Sequence, residues 1–408
     1  MKKTVLREYA KLIAKTGVNV QKGQEVFIQA ELDQPEFVAM VVDECYKLKA
    51  KKVVVDWSYQ PLTKLHVRYR SLKTLSTLDN YEEARWQHYV DTIPCRIYLI
   101  SEDPDGLRGV NQEKMAKSQQ AKYPIIKGYR DQIENKYQWC IAAVPGEKWA
   151  KKLFPELRAS QAVEKLWDAI LKTSRVTDDP IQAWEDHNRD LHDRCEYLNK
   201  LHIRELRYKS SNGTDFTVGM IPEAQFCGGG ETSLQGIFFN PNIPTEEVFT
   251  SPDRMRADGI VYSAMPLIHH GNKVDDFWIK FEGGRVVDYD ARVGKATLAS
   301  IIDTDEGAAH LGEVALISKN TPIRESGVLF YDTLYDENAS CHLALGVGFP
   351  ECIEGGYDMS KEELLEHGVN VSSTHVDFMI GTDDIDITGI TPDGREVVIF
   401  QNGQWSWE

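Results

Sequence analysis

Through its first half the chain alternates short apolar runs with longer stretches of helical spacing. Runs at 25–30, 52–57, 96–101 and 139–144 are rich in β-branched and apolar residues, which predicts strands. Stretches at 34–50, 62–76 and 112–134 carry helical spacing, the last interrupted at Pro124, which lacks the N–H an interior position donates. Leu6, Tyr9 and Ile13 mark one face of an N-terminal amphipathic helix. Two charged helices follow at 160–174 and 181–200, separated by Asp-Asp-Pro. Such alternation predicts a doubly wound, mainly parallel sheet covered on both faces.

Beyond about residue 200 the pattern changes to hairpins. Segments 206–211 and 215–220 flank Asn212-Gly213, 277–282 and 285–289 flank Gly283-Gly284, and 387–391 and 397–401 flank Pro392-Asp393-Gly394. With helices only at 291–301 and 361–366, this half reads as α+β with a mixed or antiparallel sheet. The boundary falls near 190–200, giving an α/β scaffold domain over 1–195 and a second domain over 196–408.

Composition narrows the function. A net charge of -16 argues against nucleic acid or an anionic membrane as partner. No run of 18 apolar residues occurs, and charges interrupt the N-terminal apolar residues too often for a signal-peptide core. Seven scattered cysteines with no Cys-x-x-Cys pair suit reduced thiols in a cytoplasm. No Gly-x-Gly-x-x-Gly supports a dinucleotide site, and no Gly-x-Ser-x-Gly supports serine chemistry.

The candidate chemistry lies between residues 331 and 381. His375 and Asp377 are two apart before an apolar Phe-Met-Ile, so in a strand they point to one face. Glu337 and His342 sit on a short segment that otherwise reads as core. Titratable groups in apolar surroundings need partners, and a divalent metal is the strongest available. Other candidates carry less. The adjacent His269 and His270 cannot easily share an ion, Gly228–Gly230 is as much a flexible loop as a peptide rest, and Cys341 reads as a small buried hydrophobe.

Four blocks give the chain a family resemblance: Asn-Ile-Pro-Thr-Glu-Glu-Val-Phe-Thr-Ser-Pro (242–252), His-Leu-Gly-Glu-Val-Ala-Leu (310–316), Asp-Glu-Asn-Ala-Ser-Cys-His-Leu-Ala-Leu-Gly (336–346) and Thr-His-Val-Asp-Phe-Met-Ile-Gly (374–381). In this order they resemble the M29 metallopeptidases. The resemblance implies that Glu247, Glu313, Glu337, His342, His375 and Asp377 ligate two divalent ions (zinc, cobalt or manganese), with Glu313 bridging. It also implies a metal-binding catalytic role for the second domain, removal of N-terminal residues from peptides with a free amine, and a homodimer. Glu246 would then carry a proton to the leaving amine.

At one position the chain departs from the family. Where its members carry a tyrosine able to steady the tetrahedral intermediate, this sequence has Phe349. Tyr335 and Tyr357 are the nearby phenols that could replace it. The departure keeps two other readings open, a non-catalytic metal- or peptide-binding homologue and a metal-dependent hydrolase of non-peptide amides.

Overall fold

A computed structural model describes every residue except His270. The chain forms two compact units, the first comprising Met1–Glu185 with Gly230–Pro244, the second Asp186–Gly229 with Thr245–Glu408.

In the first unit, strands Glu25–Glu31, Lys52–Ser58, Cys95–Ile100 and Trp139–Ala143 form a parallel sheet, joined at one edge by Asn242–Ile243. Helices cover the strands as the alternation predicts. The N-terminal helix Lys3–Leu12 buries Tyr9, which stacks on Phe37 at 5.4 Å and meets the edge of Trp167. Two expectations need correction. The predicted 62–76 helix is two helices, Gln60–Tyr69 and Leu72–Ser76, divided where Ser71 caps the second by accepting from the Thr74 N–H. The helix Gln112–Ile133 runs through Pro124 without a break. Gln120, whose carbonyl loses its partner there, lies on an exposed stretch where water can replace the missing bond.

The second unit holds two antiparallel sheets. A nine-stranded sheet contains all three expected hairpins, Glu205–Lys209 with Asp215–Met220, Asn272–Glu282 with Arg285–Val293, and Asp386–Ile390 with Glu396–Gln401. The expected 291–301 helix begins only at Lys295, because the strand Arg285–Val293 continues through Ala291. The other sheet has five strands in the order His375–Met379, His342–Gly346, Leu311–Leu316, Val248–Thr250 and Cys227–Gly228. Among the described residues, no helix is long and apolar enough to cross a membrane.

Candidate metal centre

The candidate ligands come together because side chains alternate across the five-stranded sheet. His342 pairs with Met379, Ala344 with Asp377 and Gly346 with His375, so His342, Asp377 and His375 share one face. Glu313 pairs with Ala344, and Phe249 with Ala315, which puts Glu313 on that face and Glu247 in line with Phe249. The opposite face carries Val248, Val314, Leu343, Leu345, Val376 and Phe378, all within one large apolar core.

One irregularity makes this sorting possible. Leu311 pairs with Leu345 and Glu313 with Ala344, leaving Gly312 as an extra residue in a bulge. Without it Leu311 and Val314, three apart, would face opposite ways, and core and site could not both be served. A Cβ at Gly312 would run into the carbonyl oxygens of Gly346 and Val347. Gly312→Ala is therefore expected to destabilise the protein by about 1–3 kcal/mol and to lower its metal content as Glu313 shifts. A melting curve and metal content both like wild type would remove the bulge from this account.

Backbone carbonyls fix both imidazoles. His342 donates through Nδ1 to the Glu337 carbonyl at 3.0 Å, and His375 through Nδ1 to the Val347 carbonyl at 2.8 Å. Each ring thus turns Nε2 toward the carboxylates, the usual orientation of a metal-ligating histidine. His342 Nε2 lies 3.7 Å from Glu247 Oε2 and 3.9 Å from Glu313 Oε1. His375 Nε2 lies 3.1 Å from both Glu313 Oε2 and Asp377 Oδ1. Ligand atoms of Glu247, Glu313 and His342 fall within 4.8 Å of one another, as do those of Glu313, His375 and Asp377. Glu313 belongs to both groups and turns a different oxygen to each histidine.

Four carboxylates and two imidazoles crowd this buried space. Burial, reinforced by the Glu313 and Asp377 carboxylates, pushes Glu247 up to about 8. Burial and the Asp377, Glu247 and Glu313 charges raise Glu337 well above the usual range. Burial opposes protonation of His342 and His375, yet the surrounding carboxylates outweigh it and raise both. Asp377 Oδ1 is buried without a hydrogen bond of good geometry. Imidazole nitrogens and carboxylate oxygens gathered in one buried space fit divalent zinc, cobalt or manganese.

The remaining expected residues lie around this cluster. Glu337 is outside both groups of ligand atoms, and its Oε1 is 3.4 Å from Asn338 Nδ2. Glu246 is buried, its N–H donating to Asn338 Oδ1 at 2.7 Å and its Oε2 lying 3.9 Å from His187 Nε2. Phe349 lays its ring 5.0 Å from that of His375 and 5.3 Å from Phe249. Tyr335 is fully buried against Phe330 at 4.4 Å, and Tyr357 is half exposed. Cys341 is buried, with Sγ against the Ile317 backbone at 3.3 Å. His269 ends the strand Leu267–His269, and His270 lies outside the described residues.

Sequence reasoning missed two residues here. Asn338, fully buried, ties the Glu246 backbone to the Glu337 side chain, and its only sequence signal is a polar residue inside an otherwise apolar block. His187 bonds the Thr245 carbonyl at 2.8 Å from a helix whose spacing marks it merely as one position among many polar ones.

A small hollow of about 30 Å³ adjoins the centre, its lining shared by Glu337 and Asp377 with Leu267, Ile268, Met379 and Tyr331. Tyr331 has φ of 57°, a left-handed conformation that strains a bulky side chain by about 1–3 kcal/mol.

Comparison with known proteins places this geometry in a family. The profile of the M29 peptidases, thermophilic metalloproteases, matches residues 2–405. Aminopeptidase AmpS of Bacillus subtilis is 40% identical over 404 residues, covering 98% of each chain. Aminopeptidase 2 of Geobacillus stearothermophilus is 39% identical over 99% of this chain and 98% of its own. The solved structure of wild-type AmpT from Thermus thermophilus superposes with a TM-score of 0.91 at 34% identity, covering 99% of both chains. The chain belongs to the M29 family and is a metallopeptidase.

Proposed function

We propose that the protein is an aminopeptidase that removes N-terminal residues from peptides with a free α-amine, using two divalent ions. One observation carries the count of two: Glu313 offers one oxygen to the group with Glu247 and His342 and the other to the group with His375 and Asp377. Glu337 stands beside both and completes the set of six. Bound ions supply Lewis acidity, which polarises a carbonyl and lowers the pKa of a water.

The chain's own residues do the rest. The backbone bonds at Nδ1 hold both rings in one orientation, and the Phe349 ring, packed on Phe249, shields the flank of His375. Glu246, buried and tied through its N–H to Asn338, is the group to move a proton to the leaving amine. Substrates with a free amine, such as aminoacyl p-nitroanilides, are expected to be hydrolysed by the metal-loaded protein, and their N-acetylated forms are not. Equal hydrolysis of both forms would point to an amidase without amine recognition. No hydrolysis of either would leave a binding protein.

Phe349 also gives a direct test. A phenyl ring cannot donate the hydrogen bond that a tyrosine would bring to a developing oxyanion, an interaction typically worth about 2.7–4 kcal/mol. Phe349→Tyr is expected to raise kcat with little change in KM, because the added hydroxyl acts on the transition state rather than on bound substrate. An unchanged kcat in steady-state kinetics would mean that no phenol is needed at this position.

All seven cysteines are free thiols, which supports a cytoplasmic protein. The family resemblance supports a homodimer, and sedimentation analysis tests it.

A further inference from the structure

The left-handed residue beside the metal centre has no account in the ligand geometry. The Asp336 carboxylate accepts the Phe330 N–H at 2.7 Å and the Asp332 N–H at 3.2 Å, so one buried side chain grips the backbone on both sides of Tyr331. The Asp336 N–H returns a bond to the Asp332 carbonyl at 3.0 Å and closes the turn. A turn that needed only this backbone shape would be met without strain by glycine, or nearly so by asparagine. Tyr331 forms part of the wall of the hollow, which Asp332, Glu337 and Asp377 also line, with Leu267, Ile268 and Met379 supplying apolar surface.

We propose that this hollow receives the side chain of the peptide's first residue, and that Tyr331 sets the size it accepts. The inference rests on the aminopeptidase reading above. If the first residue's amine and carbonyl sit at the metal centre, its Cβ leaves the backbone within one bond of them. Its side chain must then enter a space adjoining the same ligands. With Tyr331 in place that space is about 30 Å³, on the scale of a single small group, so the class of substrate is peptides with a small first residue such as alanine. Asp336 is a positioning residue, acting through the backbone it grips.

The test compares alanyl and phenylalanyl p-nitroanilides on zinc-loaded wild type, Tyr331→Gly, Tyr331→Phe and Asp336→Asn. Tyr331→Gly keeps the left-handed turn and removes the ring, so the ratio of kcat/KM for phenylalanyl over alanyl substrate is expected to rise about tenfold or more, mainly through KM. Tyr331→Phe retains the ring and the wild-type ratio. Asp336→Asn replaces one accepting oxygen with a donor, loosens the turn and moves the ratio in the same direction as Tyr331→Gly. Calorimetric binding of free phenylalanine and alanine should shift in parallel, a readout independent of turnover. Tyr331→Asn, also tolerant of the left-handed conformation, repeats the comparison in a second background.

Variants that slow both substrates equally, or leave the ratio and the amino-acid affinities unchanged, overturn the assignment of the pocket. The reading beneath it fails differently: wild type would then leave both substrates intact, or cleave them undiminished after its metal is removed.

Discussion

Glu313→Gln is expected to lower turnover by more than 100-fold and to empty the site of metal. Changing a partner outside the ligand shell typically costs about 10- to 100-fold in affinity or activity, and Glu313 stands closer than that. Its two oxygens face different histidines, 3.9 Å from His342 and 3.1 Å from His375, so its charge serves both ligand groups. An amide keeps the shape and one acceptor oxygen but supplies no charge and turns an N–H₂ toward one group. Among the described residues, no other carboxylate belongs to both groups of ligand atoms, so none can take its place between them. His269→Ala serves as the contrast, because His269 is in neither group of ligand atoms. Elemental analysis and steady-state kinetics on the two variants decide the point. Similar small effects from both would remove Glu313 from the bridge.

Chelation should abolish activity and leave the secondary structure intact. The five-stranded sheet has support apart from its candidate ligands: an apolar core on one face through Leu343, Val314 and Phe378, and backbone pairing along its strands. Far-UV circular dichroism should therefore be unchanged. The melting temperature should fall, because a ligand at about 100 times its dissociation constant stabilises the native state by about 2.7 kcal/mol, which chelation withdraws. Zinc, cobalt or manganese should restore both activity and melting temperature. Full activity in protein shown to be metal-free would exclude the mechanism.

Much of this arrangement is written in local pattern. The parallel strands and the three hairpins follow from short apolar runs and their turn residues, which act within a few positions of themselves. His375 and Asp377 announce a shared face through spacing alone, and their strand pairs as the period of two requires. Glu247 and Glu313 are legible only through their family blocks, because what joins them to the histidines is register across four strands. The bulge at Gly312 is still less visible. A glycine between Leu311 and Glu313 has many uses, and this one depends on carbonyls of residues more than thirty positions away. The return of Gly230–Pro244 to the first unit is likewise long-range, made by two paired residues at the sheet edge and by backbone bonds from Leu234 to Asn135 and from Asn240 to Gly17. Pro124 misleads for a simpler reason: its rule assumes a helix with nowhere else to send a carbonyl.

The alternation along the five-stranded sheet bears on how this protein can change over time. Val376 stands between His375 and Asp377, Val314 follows Glu313, and Leu343 follows His342. Each is a core residue one peptide bond from a proposed ligand. A lost methylene there opens space that neighbouring strands move to fill, and the strand that moves carries a ligand on its other side. Substitutions that retune the protein for a colder or hotter habitat are therefore confined to other places. The nine-stranded sheet and the first unit can drift; these three strands answer to two demands at every position, and variants within them would show as altered metal preference before they showed as instability.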